Sequence, residues 1–215
     1  MAATDARKRI ILAAERLIAE RGQAVPLRDI AAAAGQRNNS AIQYHFGSRD
    51  GLIAAVVELR LATLEARRLE LLAEQAGSGT PPGVHGLLEA LVIPMFELGE
   101  RHGVHHYARF LAQIHTHPAV TDAANLDSAE RTSVRVIMQG LDRELADLPP
   151  RLRVRRLRAV TTMLFALLAD FERAVEAGKV RSGDVDAWGE IIDMLAGSLT
   201  APVTDPAGVR VRGYR

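Results

Sequence analysis

The sequence predicts an all-α protein, a small N-terminal helix-turn-helix unit of three helices followed by a larger helical bundle, about nine helices in all. Three observations carry this. Apolar residues recur at helical spacing through most of the chain, with Ala and Leu dominant and little of the Val/Ile alternation that strands need. The breaks between periodic stretches are Gly and Pro clusters such as GSGTPPG at 77–83 and the Pro pair at 149–150. A length of 215 residues is enough for one sizeable core, or for a small domain leaning on a larger one.

The first helix is expected from Asp5 to Glu20, with Thr4 as its cap, Gly22 just past its end, and Ile10, Ala14, Leu17 and Ile18 as its buried stripe. Arg7 and Lys8 near its start are within reach of phosphates. Pro26 precedes a second helix, where a missing N–H is harmless. Leu27, Ile30, Ala31 and Ala34 give that helix one apolar face, and Gly35 ends it. Asn38 caps a third helix, placed at Asn39 to Phe46. At about 100° per residue its two sides separate cleanly. Ala41, Ile42, His45 and Phe46 lie on one, and Asn39, Ser40, Gln43 and Tyr44 on the other. The second side is polar yet uncharged. A merely solvated face is richer in Lys and Glu; amides and hydroxyls suit base edges and phosphate oxygens. Gly47 and Ser48 stop this helix and cap the next, which begins at Arg49 and keeps its period to about Gln75.

The stretch AIQYHFGSRDGLI resembles the end of the recognition helix and the start of the fourth helix in TetR-type repressors. Tyr44, His45, Phe46, Gly47, Ser48, Arg49, Asp50 and Leu52 match that pattern, and LRDIAAAAG resembles the first helix of the family's helix-turn-helix. The resemblance covers about the first quarter of the chain. The run from Gly35 to Tyr44 is one residue longer than the common family spacing, and Gln43 stands where many members carry an aromatic residue, so individual base contacts do not carry over. What the resemblance implies is a homodimeric, ligand-responsive regulator of transcription, most often a repressor, that binds a palindromic operator in double-stranded DNA. In that reading residues 1–48 bind DNA, 49–201 dimerise and hold a small-molecule effector, and 202–215 form a loose tail. The DNA-reading residues are Asn38, Asn39, Ser40, Gln43 and Tyr44, with Arg28, His45 and Arg49 placed for phosphate or flanking contacts.

Five further helices are expected. Val84 to about Gly99 carries Leu88, Leu91, Val92 and Met95, with Pro94 as a kink or a freed carbonyl. Val104 to His115 carries Tyr107, Phe110, Leu111 and Ile114, and Pro118 ends that unit. Asp127 to Ala146 carries Val134, Met138, Leu141 and Leu145. Arg151 to Ala177 is long, with Leu157, Val160, Leu164, Leu168 and Phe171 inward and Gly178 as its stop. Asp184 to about Thr200 carries Trp188, Ile191, Ile192, Leu195 and Leu199. Repressors of this kind read two half-sites about one DNA turn apart, which needs two heads. Leu164, Leu168, Phe171, Trp188, Ile192 and Leu195 are the candidate dimer seam; packing inside one chain is the other reading of the same stripes. Leu91, Met95, Tyr107, Phe110, Ile114, Met138, Leu141, Thr161 and Phe165 are the candidate lining of an effector pocket, with Tyr107, Arg109, Gln113 and Thr161 available to orient a mostly apolar ligand. A plain helical core is the alternative, and a regulator without an effector is the runner-up function.

Composition narrows the field. There is no Cys, so disulfides, thiol nucleophiles and thiolate metal sites are excluded. No GxSxG, Walker A or strand-preceded GxGxxG occurs, so an enzyme is not expected. Among seven histidines, His102 and His106 have metal-compatible spacing, with His105, His115 and His117 nearby, but no HExxH accompanies them and no metal or cofactor is expected. No signal-like segment or membrane-length apolar run is seen, and a cytoplasmic setting is expected. Net charge is +1, unevenly spread: residues 1–50 hold eight basic groups against five acidic, and residues 51–100 three against seven. A modestly basic head on an acidic neck suits a DNA-binding end that must also let go.

Overall fold

Ten helices and no strand make up the described part of the computed structural model, which covers residues 2–36, 40–77, 79, 81–103, 105–122 and 131–203, the side chains of 2–4, 101 and 102 excepted. The order is α1 (Ala2–Arg21), α2 (Leu27–Ala33), α3 (Ser40–Phe46), α4 (Arg49–Gly77), α5 (Gly83–His102), α6 (Tyr107–Gln113), α7 (Pro118–Thr121), α8 (Thr132–Glu144), α9 (Pro150–Glu176) and α10 (Val185–Thr200). The expected class holds, with one helix more than expected. Pro118 opens α7 instead of closing α6: its absent N–H costs nothing at a first helical position, and the Ala119 N–H donates to His117 Nδ1 at 3.1 Å. Thr4 lies inside α1 rather than at its cap. Pro94 sits within α5, which runs on through it, since losing one ladder bond is tolerated where the flanking turns are packed.

The three N-terminal helices form a head. Ile10, Ala14, Leu17 and Ile18 of α1 pack with Ile30 and Ala31 of α2, Ile42 of α3 and Leu52, Ile53 and Val56 of α4. Gly35 and Gly47 end α2 and α3 with φ of +71° and +70°, a region only Gly enters without strain. α4 starts hard against the end of α3: a Cβ added at Gly51 would stand 2.1 Å from the Phe46 carbonyl oxygen.

In the body, α5 packs on α4, α8 and α10, and α9 packs on α6, α8 and α10. Phe96 of α5 lies between Phe171, edge-on at 4.9 Å, and Trp188, stacked in parallel at 4.9 Å, while the Trp188 indole N–H donates to the Ser182 carbonyl at 3.1 Å. α6 also packs on α1, so it touches head and body alike. Polar bonds cross the same joint. Arg49 Nη1 donates to the Gln23 carbonyl at 2.8 Å, the Gln23 amide donates to the Gln113 carbonyl, and His117 Nε2 lies 3.3 Å from Asp50 Oδ1. No helix among the described residues is long and apolar enough to cross a membrane.

Candidate nucleic-acid interface and ligand cavity

The outward side of α3 is built by its own period. Ile42 is buried in the head, and Ala41, His45 and Phe46 are half-buried, which leaves Ser40, Gln43 and Tyr44 in the open. Tyr44 is 83% exposed, far more than an aromatic side chain without a partner normally is. Arg7 rests its guanidinium over the Phe46 ring at 5.3 Å, bringing a cation to the edge of this face. Arg28 is exposed and only loosely paired with Asp29, at 3.5 Å. Arg49 is half-buried and tied to Gln23, which makes it a brace of the head as well as a charge near its surface. Asn38 and Asn39 lie outside the described residues.

A cavity of about 260 Å³ opens in the body, walled by α4, α5, α6, α7, α8 and α9. Six of the expected lining residues face it: Leu91, Met95, Tyr107, Met138, Thr161 and Phe165. Phe110, Ile114 and Leu141 do not. They are fully buried in the core, because the inner stripes of α6 and α8 are wide enough to serve both core and cavity. Arg109 and Gln113 do not line it either. Arg109 is drawn to Glu176, 2.6 Å from its Nη1, and Gln113 faces the head. The sequence did not single out the α4 wall, Val57, Leu61 and Arg68, nor Leu111, Val134 and Arg131. The one available signal was an Arg at position 68, in register with Leu61 and Leu64 on an apolar stripe.

Leu164 also lines this cavity, and with Leu168, Trp188, Ile192 and Leu195 it is buried within the single chain. Phe171 is half-buried and packs on Phe96. The stripes expected to form a seam with a second copy therefore close the core of their own chain, where α10 covers α5 and α9. The outward faces of the same two helices carry Thr162, Ala166, Gly189, Asp193, Met194 and Gly197. Met194 is 39% exposed, and open space surrounds both glycines.

Glu15, His106 and Glu172 are ionisable groups held wholly or largely out of solvent between elements. Glu15 of α1 is paired with Arg60 of α4, and burial raises its pKa against the pull of that guanidinium. His106, 3.5 Å from Glu15 Oε1, is pushed down to about 4 by burial and by Arg60, Arg109, Arg16 and His105. Glu172 of α9 accepts the Ala108 and Arg109 N–H groups at 2.9 Å, at the start of α6, and burial raises it to about 7. No three potential metal ligands converge among the described residues; His115 bonds the Ala112 carbonyl at 2.9 Å, and the His102 side chain lies outside the described set.

The family model for the bacterial regulatory proteins of the tetR family matches residues 10–56, and that for the tetracyclin repressor-like C-terminal domain matches residues 89–201. The chain is similar in structure to the TetR-like transcriptional regulator LfrR from Mycobacterium smegmatis, solved with proflavine, at 20% identity and a TM-score of 0.53, covering 95% of this chain and 99% of that one. It is also similar to NalD, the secondary repressor of the MexAB-OprM multidrug efflux pump in Pseudomonas aeruginosa, at 19% identity and a TM-score of 0.52, covering 90% and 96%. No curated protein matches the chain.

Proposed function

Because the chain belongs to the TetR family of DNA-binding transcriptional regulators, we propose that it is a homodimeric repressor, released from a palindromic operator when a small, mostly apolar molecule fills the cavity of the body. One observation carries the reading: walls of the cavity are continuous with the supports of the DNA-reading head. Val57 and Leu61 line the cavity on α4, whose first turn is pressed against the end of α3 at Gly51. Ala119 and Thr121 line it on α7, next to His117, which reaches Asp50 at the start of α4. Tyr107 and Leu111 line it on α6, which ends at Gln113, the acceptor for Gln23 of the head. A ligand that spreads these walls moves α4 and α6 and re-aims α3. Lowering DNA affinity a hundredfold needs only about 2.7 kcal/mol of coupling, an ordinary allosteric magnitude.

In this reading Ser40, Gln43 and Tyr44 enter the major groove, with Asn38 and Asn39 just ahead of them in sequence, while Arg28, His45 and Arg49 serve the flanks and phosphates. The head is residues 1–48, and the body, 49–201, carries the effector and the dimer. With their inward stripes used up, α9 and α10 are left with the outward face around Ala166, Met194 and Gly197 for the second copy, and its small residues suit close helix approach.

The test is a gel shift on the DNA flanking the protein's own gene, with and without a panel of small lipophilic compounds, for wild type and for Met138→Trp. Wild type should retain the DNA and release it with at least one compound. Met138→Trp, with the cavity filled by its own side chain, should bind the DNA and respond at least about tenfold more weakly. No retention overturns the repressor reading; retention that no compound releases overturns the effector, and equal release of wild type and Met138→Trp overturns the cavity as its site.

A further inference from the structure

Arg68 is the one charged group buried in the cavity wall among the described residues, 3% exposed, on the same stripe of α4 as Leu61 and Leu64. Among the described residues its one hydrogen bond is weak, from Nη2 to the Leu91 carbonyl at 3.4 Å. Nε and Nη1, also buried, meet no acceptor among the described residues. Glu65 attracts Arg68 through space but makes its own hydrogen bonds elsewhere: its two oxygens accept the N–H and hydroxyl of Ser133 at 2.8 and 2.5 Å. Burial lowers the Arg68 pKa against the pull of the Glu65 carboxylate, yet a guanidinium stays protonated. A buried guanidinium with no carboxylate bonded to it is costly in a protein interior, and beside a cavity its open N–H groups suit an anionic partner.

The rest of the lining fits that partner. Arg131 adds a second guanidinium, held by the Ala119 carbonyl at 3.1 Å, and Tyr107 adds a buried phenol kept protonated by burial. The one lining carboxylate among the described residues, Asp122, is exposed. Met95, Met138, Leu164 and Phe165 supply a flexible apolar wall. The volume of about 260 Å³ equals that of roughly nine waters, the scale of a medium-chain or bicyclic acid.

We propose that the effector is a small amphipathic acid whose carboxylate, or an equivalent monoanion, lies on Arg68 while its apolar part fills the space between α5, α8 and α9. This rests on the ligand cavity of the preceding reading and adds the sign of the ligand's charge. A cation of the same shape is rejected, because it would put two like charges together out of water.

The full-length protein is titrated by calorimetry with three ligands of one tail, decanoate, decan-1-ol and decyltrimethylammonium. Decanoate saturates at one per chain and binds at least about tenfold more tightly than the alcohol, the usual scale of a charge-assisted bond; the ammonium ion shows no saturable binding. Arg68→Met keeps the alcohol and loses the preference for decanoate. Arg68→Lys, which retains the charge if the Met variant does not fold, keeps the preference. If alcohol or ammonium binds the wild type as tightly as decanoate, or if Arg68→Met leaves the preference intact, the anion assignment is overturned and the cavity stands. If none of the three binds, the cavity reading falls and the proposal with it.

Discussion

Arg60 on α4 grips Glu15 on α1 with two nitrogens, Nε and Nη2 each 2.8 Å from the same oxygen, Oε2, and neither side chain reaches solvent to any useful extent. The pair lies where head, α4 and α6 meet, so its geometry fixes how the head sits on the body. Two charges out of water gain little net stability, but breaking such a pair from one side is expensive. Glu15→Gln should cost about 3–5 kcal/mol, read from urea unfolding, because Arg60 is then buried uncompensated. Joint replacement by Glu15→Leu and Arg60→Met should cost far less. Equal losses for the single and double variants would show that the pair is not coupled.

His106 makes the same joint sensitive to acid. Its folded pKa of about 4 lies below the ordinary 6.5, so the unfolded chain binds the proton more readily. The stability it contributes is therefore full above pH 6.5 and is lost as pH falls through about 4. Glu172, raised to about 7 from 4.5, acts with the opposite sign: its contribution is full below pH 4.5 and is lost as pH rises through 7. The difference between wild type and His106→Gln isolates the histidine. Melting curves from pH 7 to pH 4 should show the wild type losing more stability than the variant. Parallel losses would mean that His106 does not titrate as the fold implies.

At the DNA face, Gln43→Ala should weaken operator binding by about 1–3 kcal/mol and relax the preference at one base pair. Arg28→Ala should weaken all sequences alike and lower the salt slope by about one, the mark of a phosphate contact. Arg49→Ala removes the brace to Gln23 as well, so it should also lower the head's melting temperature. Unchanged affinity in both Gln43→Ala and Tyr44→Ala would move the reading surface off this side of α3.

The two faces of α10 are told apart by adjacent residues. Met194→Asp, on the exposed face, should leave a folded chain that sediments as monomer and no longer retains operator DNA. Leu195→Glu, with its side chain fully buried, should unfold the body instead, since an unpaired carboxylate in the core costs several kcal/mol. A Met194→Asp protein that remains dimeric would place the seam elsewhere.

The helices and the polar side of α3 were legible because periodicity reports directly which residues share a face. Ser40, Gln43 and Tyr44 stand out on the exposed side, as their spacing implied. What an apolar face packs against is not written in its period. Leu168 and Leu195 fit an intermolecular seam as well as an intramolecular one, and the outward faces of α9 and α10, where Ala, Thr, Gly and one Met sit among charged residues such as Asp193, give too little contrast to announce an interface. Phe110 and Tyr107 stood on one stripe, yet one fills the core and the other lines the cavity, a distinction that depends on where neighbouring helices end. Arg68 was missed because a lone Arg at the border of an apolar stripe reads as a solvated edge until its burial is known.

The parallel stack of Trp188 on Phe96 gives the molecule a reporter of its own. Trp188 is the only tryptophan in the chain, nearly buried, and fixed by its bond to Ser182 at the junction of α5 and α10. Its emission should be blue-shifted in the native state and should move to the red only when that junction opens, while loss of the three head helices alone leaves it unchanged. Far-ultraviolet dichroism counts every helix, head included. Followed together through a melt, the two signals separate if the head comes apart first and coincide if the joint at Glu15 and Arg60 makes head and body a single cooperative unit.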